Sequence, residues 1–277
     1  MSISEKEFLR NYSIKDYERP SVTSDIVIFS IYNEPAGSNR KLGEGKLSIL
    51  LIRRKEHPFK DCWALPGGFL RENETMEECA LRELKEETGL KKARLLPIGS
   101  FSEPGRDPRG WIISNAYTAP VCRQNVSIKG GDDAAEAAWF TISASFDKNT
   151  NVWNLTLESQ EREELVTLKA VIKQSVSRAG LTEYEILENS DLAFDHGKII
   201  IKAFANMKRH CEADGIAYDF LPEKFTIMQL QKTHELILEQ PLLAANFRRK
   251  IAPQIEETGE ILEGKAFRPA MLYKLKK

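Results

Sequence analysis

The residues best suited to chemistry lie between Gly68 and Leu90, in the segment GFLRENETMEECALRELKEETGL. Residues three and four apart share one face of an α-helix, so Glu83, Glu86 and Glu87 would project their carboxylates toward one region. Like charges at this spacing destabilise an exposed helix by roughly 0.2–0.5 kcal/mol. A hard divalent cation would neutralise them, and carboxylate oxygens are ligands that suit Mg²⁺ and Mn²⁺. The spacing therefore predicts a Mg²⁺ or Mn²⁺ site.

Metal bound at this helix would support hydrolysis of a pyrophosphate. A divalent cation draws charge from the phosphates and lowers the pKa of a bound water that attacks phosphorus. Arg82, between these acids and Glu74, could orient one carboxylate through a bidentate pair. Gly67 and Gly68 let the backbone approach a metal or phosphate closely. The alternative is a solvated acidic helix that only keeps the protein soluble, and the glycines and the spacing disfavour it.

The elements that must position this segment are typical of an α/β sheet. Residues 25–32 and 46–54 predict paired strands, and further strands are predicted at about 93–102, 111–121 and 137–142. Apolar residues at four-residue spacing predict a helix from about Thr75 to Thr88, with Gly89 as its C-terminal cap. A second helix is predicted from near Asp195 to residue 212. The predicted fold class is α/β (α+β), a mixed sheet with helices, over residues 1–214.

Two further regions have patterns of their own. Residues 152–158 and 165–172 alternate well enough for a hairpin, so residues 143–190 are predicted to be a hairpin-type insertion or a sheet extension without an assigned role. After Gly215, two helices are predicted at 226–240 and 241–252, the second opened by Pro241 at its first position. Two short strands follow. This is the layout of a winged helix-turn-helix over residues 216–277.

The composition limits the classes of protein that this chain can represent. Of 277 residues, 42% are hydrophobic and 29% charged, and the net charge of −1 provides no global attraction to nucleic acid or membrane. The N-terminus is too charged for a signal peptide, and the apolar runs are too short to cross a bilayer. The four cysteines form no C-x-x-C pair, which argues against a zinc site and a disulfide framework. A cytoplasmic protein without a membrane partner is predicted.

The segment from Gly68 to Leu90 resembles the Nudix box. Every fixed position of that box is filled, namely Gly68, Glu74, Arg82-Glu83-Leu84, Glu86-Glu87 and Gly89-Leu90. Other segments are similar to the ADP-ribose-directed Nudix branch, which includes the Nudix-related transcriptional regulators of NAD metabolism and their C-terminal winged helix. These segments are RPSVTSDIVIF, LLIRRKEHPFKDCWALPGGF, FSEPGRDPRGWIISNAY, AEAAWF, LAFDHGKIII and LPEKFTIMQLQKTHELILEQPLLAANFRRKI.

This resemblance implies an α/β/α sandwich that hydrolyses a nucleoside diphosphate linked to another group. It implies Glu83 and Glu87 as metal ligands, Glu86 next, the carbonyl of Gly68 as a further ligand, and Glu74 as a supporting residue. Arg82 completes the predicted catalytic set. The general base is left open between Glu86 and Glu136.

The substrate side is predicted from residue chemistry. Arg54, Arg106 and Arg109 could each pair with a phosphate, because guanidinium suits bidentate phosphate contacts. The alternative for each is a surface arginine with weak ion pairs. A residue that stacks on the adenine is expected, and the candidates are Phe101, Trp111 and Tyr117.

The second domain has a modest positive charge. Residues 216–277 hold ten Lys and Arg and eight Asp and Glu, a net charge of +2. Glu256, Glu257 and Glu260 approach the predicted wing and would repel phosphate. The residues predicted to meet DNA are Asn246, Arg248, Arg249 and Lys250 on the recognition helix, with Lys265 and Arg268 in the wing. The domain either binds operator DNA and is released by ADP-ribose, or keeps the winged-helix shape for dimerisation or packing.

Two functional hypotheses follow. The favoured one, because the box is intact, is a Mg²⁺-dependent pyrophosphohydrolase that converts ADP-ribose, or a close nucleotide-sugar relative, to AMP and ribose 5-phosphate. The alternative is an ADP-ribose-sensing transcriptional regulator that binds DNA. A homodimer is expected from the general frequency of two-fold assemblies and from the family.

Overall fold

The structure is a computed structural model, and it describes residues 4–33, 45–128, 134–159, 165–262 and 269–276. The strands of its main sheet are β1 (Ser21–Asn33), β2 (Gly45–Arg54), β3 (Trp63–Ala64), β4 (Gly67–Phe69), β5 (Leu96–Phe101), β6 (Ile112–Pro120), β7 (Ala134–Asp147), β8 (Val152–Ser159), β9 (Val166–Val176) and β10 (Thr182–Asn189). Their order is β10-β9-β8-β7-β2-β1-β6-β5, with β3 paired to β2 and β4 paired to β1. The β1–β6 pair is parallel, while β1 and β2 are antiparallel, so the sheet is mixed.

Helices cover both faces of this sheet. The helices of the described chain are α1 (Glu5–Asn11), α2 (Met76–Thr88), α3 (His196–Ala213), α4 (Ile227–Leu238) and α5 (Ala244–Ile251), with short 3-10 turns at Ile14–Asp16, Arg123–Asn125 and Ile216–Phe220. No helix in these described ranges is long and apolar enough to cross a membrane.

Strand β1 shows how the sandwich is built. Successive side chains of a strand point to opposite faces of the sheet. Ile26 and Ile28 pack in one buried cluster with Leu84 of α2, while Val27 and Phe29 belong to the other cluster, which includes α3. Because both faces are covered, the strand is apolar over consecutive residues rather than alternating. The predicted α/β/α sandwich is confirmed.

The insertion predicted for residues 143–190 extends the main sheet. Strands β8 and β9 form an antiparallel pair, as the alternating pattern predicts, and β10 adds a third strand at the edge. The sequence analysis does not predict β10. This strand lies at the edge of the sheet, and its residues Glu183, Glu185 and Glu188 are exposed. Charged residues are common on edge strands, and they interrupt the apolar alternation by which a strand is recognised in a sequence.

The C-terminal region has the predicted helix-helix-ribbon layout. After α4 and α5, β11 (Ile255–Leu262) and β12 (Ala270–Leu275) form an antiparallel ribbon. Leu230 and Ile237 of α4 belong to the same buried cluster as Met207 and Cys211 of α3. The winged helix therefore packs directly on the Nudix-like sandwich through α3. Helix α3 ends at Ala213, shortly before the predicted boundary at residue 215, and the boundary stays a prediction because the apolar core continues across it.

The prediction that Pro241 opens the second helix is wrong. Helix α5 begins at Ala244, and residues 241–243 form a non-helical linker in which Leu243 has an extended backbone. The linker is held by α4, since Gln231 Nε2 donates to the carbonyl of Leu242 (2.9 Å) and the Leu242 amide donates to Glu235 Oε1 (3.0 Å). These hydrogen bonds hold the backbone at Leu242 against α4, so the helix begins after the linker and not at Pro241.

Candidate functional site

Both ends of helix α2 are set by local signals, and they fix where its acids point. Thr75 is the N-cap: its hydroxyl accepts from the amide of Glu78 (3.2 Å), and the Thr75 amide donates to Glu78 Oε2 (2.7 Å). This reciprocal capping box satisfies amides that the helix itself cannot pair. At the other end Gly89 adopts a left-handed conformation with φ of 73°. The helix predicted from about Thr75 to Thr88 is confirmed.

Arg82 is the centre of the ion pairs on α2. Its Nε donates to Glu74 Oε2 (3.0 Å) and one terminal nitrogen donates to Glu74 Oε1 (2.7 Å), which is a bidentate pair. The same terminal nitrogen reaches the carbonyl of Phe69 (3.1 Å), and the other donates to Glu83. The hydrogen bond from Arg82 lowers the pKa of Glu74 to about 2. Glu74 is therefore held ionised and ties the box loop to the helix, while its role as a supporting residue of a metal site stays a prediction.

Glu83 lies against the backbone of Gly68. A Cβ added at Gly68 would collide with the Glu83 carboxylate, so glycine is needed for this close approach. Burial raises the pKa of Glu83. Glu87 is buried as well, whereas the side chain of Glu86 is 48% exposed and lies 3.6 Å from Arg82. The three acids therefore occupy three different environments on one face of the helix.

The donor chemistry of these residues fits a divalent metal. Carboxylates and the Gly68 carbonyl are hard oxygen donors, and the absence of a side chain at Gly68 lets the Glu83 carboxylate lie against its backbone. In the described part of the chain, however, no group of three or more His, Cys, Asp or Glu side chains is arranged to hold a metal, and Glu83 is paired with Arg82. The metal site at Gly68, Glu83, Glu86 and Glu87 stays a prediction, and it requires Glu83 to turn from Arg82 to the cation.

Two of the predicted substrate arginines meet at one aromatic ring. Arg54 lies over the ring of Phe194 at 4.9 Å, and its Nε donates to the carbonyl of Pro58 (2.8 Å). Arg109 lies 5.4 Å from the same ring and 5.1 Å from the ring of Phe69, the residue after Gly68. Arg109 also forms a bidentate pair with Asp107. Phe69 links Arg109 to α2, because its ring contacts Arg109 and its carbonyl accepts a hydrogen bond from Arg82.

Arg106, the third predicted substrate arginine, is buried. Its side chain is 5% exposed and forms a bidentate pair with Asp195 at 3.0 and 2.6 Å. A terminal nitrogen lies 3.7 Å from Asp25, which pairs in register with Gly67 of β4. Arg106 thus lies beside the box loop, but its guanidinium is already paired with the carboxylate of Asp195.

A buried polar network surrounds this pair. Ser114 donates to Asp25, and His196 Nε2 lies 3.9 Å from Asp25 Oδ1. The amide of Leu65 donates to His196 Nδ1 (2.9 Å), so the neutral ring carries its proton on Nε2. Burial lowers the pKa of His196 and keeps the ring neutral. The network joins β1, β6 and the start of α3 beneath the box.

Phe194, Asp195, His196 and Asp25 were not among the predicted site residues. Three of them, Phe194, Asp195 and His196, lie in the segment LAFDHGKIII, which the sequence analysis uses only as a family resemblance. Phe194 also adopts a positive φ of 53°, uncommon for an aromatic residue, at the turn that aims its ring. That turn depends on the packing of α3 and could not be recognised from a local pattern.

The predicted adenine-stacking residues separate clearly by burial. Phe101 and Tyr117 lie in the core, so neither ring is accessible. Trp111 is 55% exposed and remains available. Of the two candidates for general base, Glu86 faces solvent beside Arg82, and Glu136 lies on β7 opposite Arg53 of β2.

The predicted recognition helix presents its polar residues to solvent. Phe247 and Ile251 anchor α5 in the core, while Asn246, Arg248, Arg249 and Lys250 are exposed. Arg268 and Lys265 fall outside the described residues.

The acids near the ribbon are partly neutralised. Glu256 pairs with Lys274 (3.1 Å), and Glu260 pairs with Lys224 (2.5 Å). Their repulsion of a phosphate is weaker than the sequence alone suggests.

Comparison with known proteins agrees with both halves of this structure. The NUDIX domain family matches residues 39–158, and the NrtR DNA-binding winged helix domain matches residues 217–275. Over 98% of the chain and 88% of its relative, the sequence is 31% identical to a protein from Acinetobacter baylyi described as an ADPR responsive transcriptional repressor, NtrR.

The chain belongs to the Nudix family, in the group that carries an NrtR winged helix.

Two further relatives place this Nudix protein more closely. A solved MutT/nudix family protein from Enterococcus faecalis is 33% identical, with a TM-score of 0.69 over 99% of this chain and 94% of that one. An ADP-ribose pyrophosphatase from Methanocaldococcus jannaschii is 42% identical over 142 residues, which are 51% of this chain and 83% of that protein. Similarity to the repressor thus spans both domains, whereas similarity to the pyrophosphatase spans about half of the chain.

Proposed function

We propose that this protein is a DNA-binding transcriptional regulator whose Nudix domain senses ADP-ribose. The observation that carries the proposal is the exposed polar face of α5, formed by Asn246, Arg248, Arg249 and Lys250 in a winged helix packed on a Nudix domain. The relative that is similar over nearly the whole chain is described as an ADP-ribose-responsive repressor. The functional hypothesis kept second in the sequence analysis is therefore the better supported one.

The geometry of α5 suits the major groove. In helix-turn-helix proteins the second helix lies in that groove, and its polar residues meet base edges and phosphates. Arg249 donates to Asn246 Oδ1 (3.1 Å), so the two side chains are held together on one surface. A two-fold dimer, which we also propose, would present two such helices to the half-sites of a palindromic operator.

The arginines around Phe194 suit an ADP-ribose ligand. Arg54 and Arg109 provide two guanidinium groups near one another for a pyrophosphate dianion. Phe69, which contacts Arg109, and Phe59, which packs on Phe194, are exposed rings at this cluster that could stack on adenine, and Trp111 is a further exposed candidate.

Selection of bound sequences from a randomised duplex library tests the DNA-binding half of this proposal. We expect a palindromic site, and an affinity that falls steeply as salt is raised because bound cations release counterions from the phosphates. Binding that shows no sequence preference and no dependence on salt would contradict the proposal. Substitution of Arg248 and Arg249 on α5 should weaken this binding. The control is Arg178→Ala, which removes an exposed charge from the turn before β10.

Hydrolysis is the second candidate function, because the Nudix box is intact. Glu83, Glu86, Glu87 and the Gly68 carbonyl would hold the Mg²⁺. When bound, the cation would neutralise the pyrophosphate and lower the pKa of the attacking water. Arg82 would keep Glu74 and the box loop in place, while Arg54 and Arg109 would hold the phosphates. The reaction would add water across the pyrophosphate of ADP-ribose and yield AMP and ribose 5-phosphate.

Release of AMP in the presence of Mg²⁺ tests this second function. We expect Glu87→Gln to abolish any turnover, while Glu72→Gln, in the same segment, should leave it unchanged. Equal turnover in the Glu87→Gln variant would contradict the assigned site. ADP-ribose binding without AMP release would leave the regulator as the sole function.

A further inference from the structure

Helix α3 is clamped at its start to the loop between β5 and β6. Asp195, its N-cap, pairs with Arg106 (2.6 Å), and Lys198 pairs with Glu103 (2.8 Å). Lys202 lies over the ring of Phe101 at 5.2 Å. Asp195 and Lys198 thus hold the loop that carries Arg106 and Arg109. Lys202 contacts Phe101 at the end of β5, immediately before that loop.

The other end of α3 meets the winged helix. Lys208 pairs with Glu239, the C-cap of α4, at 2.6 Å. Met207 and Cys211 lie in the same buried cluster as Leu230 of α4. Helix α3 therefore connects the loop at its start to the packing beneath α4, and close-packed interiors can transmit a displacement along such a connection.

Arg106 is placed to change partners. Its guanidinium lies beside the box loop, 3.7 Å from Asp25, and Asp25 is in register with Gly67. A pyrophosphate offers the same bidentate geometry as the carboxylate that now holds Arg106. Arg109, three residues away, already faces the surface at Phe69 and Phe194.

We propose that the pyrophosphate of a nucleoside diphosphate ligand competes with Asp195 for Arg106. Asp195 is then a positioning residue that couples the ligand site to the DNA-binding domain through α3. Release of Asp195 would free the start of α3 and shift the helix against α4. This inference rests on the proposed function and adds the residue pair that carries the response.

Removal of the competitor gives an unusual prediction. The Asp195→Asn variant should bind ADP-ribose more tightly than the wild type, on the order of tenfold, which lies within the usual range of coupling between sites. In the same variant, the ratio of DNA affinity without and with ADP-ribose should fall toward one. A residue with only a structural role would lower ADP-ribose affinity or leave it unchanged.

Three measurements on the full chain test this inference. Calorimetry gives the ADP-ribose affinity, anisotropy of a labelled duplex gives the DNA affinity ratio, and thermal unfolding reports whether each variant folds. Asp16→Asn is the matched control, because it makes the same substitution at an exposed residue of the 3-10 turn at Ile14–Asp16, outside the contacts between α3 and the loop. We expect this control to keep the wild-type affinity and ratio. The double variant Asp195→Asn/Arg106→Gln, which removes both buried charges, should bind ADP-ribose more weakly than the wild type and lose the response.

The outcomes separate the inference from the proposed function. Wild-type ADP-ribose affinity and a wild-type DNA response in Asp195→Asn would overturn the inference while the regulator stands. If ADP-ribose has no effect on DNA binding by the wild type, the regulator is contradicted, and the ADP-ribose affinity of Asp195→Asn still decides whether Asp195 competes for Arg106. Poor folding of Asp195→Asn leaves the decision to the double variant, in which an unchanged DNA response would overturn the inference.

Discussion

Helices α2 and α5 are both rich in charge, but their charges are used differently. On α2, Arg82 is bound to Glu74 and Glu83, and all three side chains are largely buried. On α5, Arg248, Arg249 and Lys250 are exposed and form no ion pair with the residues that the structure describes. The charges of α2 form a buried, mutually paired cluster, whereas α5 presents its charges outward.

The difference is consistent with a different ligand for each helix under the proposed function. Buried, mutually paired charges hold a fixed geometry and suit a small ligand or a metal that needs exact distances. Exposed cations have high conformational freedom and suit a large polyanion that releases counterions when it binds. Under the proposed function, the same chain would join a centre that senses a ligand and a surface that reads DNA.

The largest expected effect comes from removing the outward charges. The double variant Arg248→Ala/Arg249→Ala should lose about 1–3 kcal/mol of operator-binding free energy for each arginine. Its salt dependence should weaken by roughly two counterions, since each phosphate contact contributes about one. Anisotropy titrations at several salt concentrations measure both quantities. Unchanged DNA affinity would remove α5 from the interface and end the comparison.

A smaller effect is expected when a methyl group is added to the glycine backbone beside the paired charges of α2. In Gly67→Ala, the new methyl carbon would lie 2.3 Å from the backbone carbonyl oxygen of Ser24, which cannot move aside as the end of a side chain can. We expect a loss of about 1–3 kcal/mol in the free energy of unfolding, as for other overpacked sites. Urea denaturation measures this loss. DNA affinity in the absence of ligand should stay at the wild-type value, and a fall in that affinity would show that the two helices are not independent.

Acid should weaken α2 through Glu74. The pKa of this residue is lowered from 4.5 to about 2 by Arg82, so the folded state favours its ionised form. The stabilisation from Glu74 is therefore complete above pH 4.5 and is lost as the pH falls toward about 2.

The free energy of unfolding of wild type and Glu74→Gln should converge over that pH range. Glu72→Gln, which removes a carboxylate two residues earlier, should not show this convergence. A constant difference between the wild type and Glu74→Gln at all pH values would contradict the role of the Arg82 pair.

The smallest effects concern the helix starts. Thr75→Ala removes the capping box of α2 and should cost about 1 kcal/mol of stability. Helix α5 begins after Leu243, whose side chain makes no cap hydrogen bond. Leu243→Ser should therefore stabilise the protein by about 0.5–1 kcal/mol. Thermal unfolding measures both changes, and a destabilising Leu243→Ser would show that Leu243 has a packing role.

The amino-acid sequence predicted the parts of the molecule that are determined locally. Thr75 and Gly89 mark the ends of α2, and the apolar residues of β1 and β2 mark the centre of the sheet. The position of Pro241 misled the prediction for α5, because hydrogen bonds from α4 decide where that helix begins. Phe194, Asp195 and Asp25 meet only after α3 packs on the sheet. Their proximity depends on contacts between residues distant in sequence, so no local sequence pattern predicts it.

The central claim is that ADP-ribose controls DNA binding by this protein. The most direct test adds ADP-ribose to the complex of the full chain with its selected duplex and follows the anisotropy of the labelled DNA. We expect ADP-ribose to release the DNA, and we expect AMP and ribose 5-phosphate at the same concentration to release much less. DNA that stays bound at saturating ADP-ribose, or that is released equally by the products, would contradict the account.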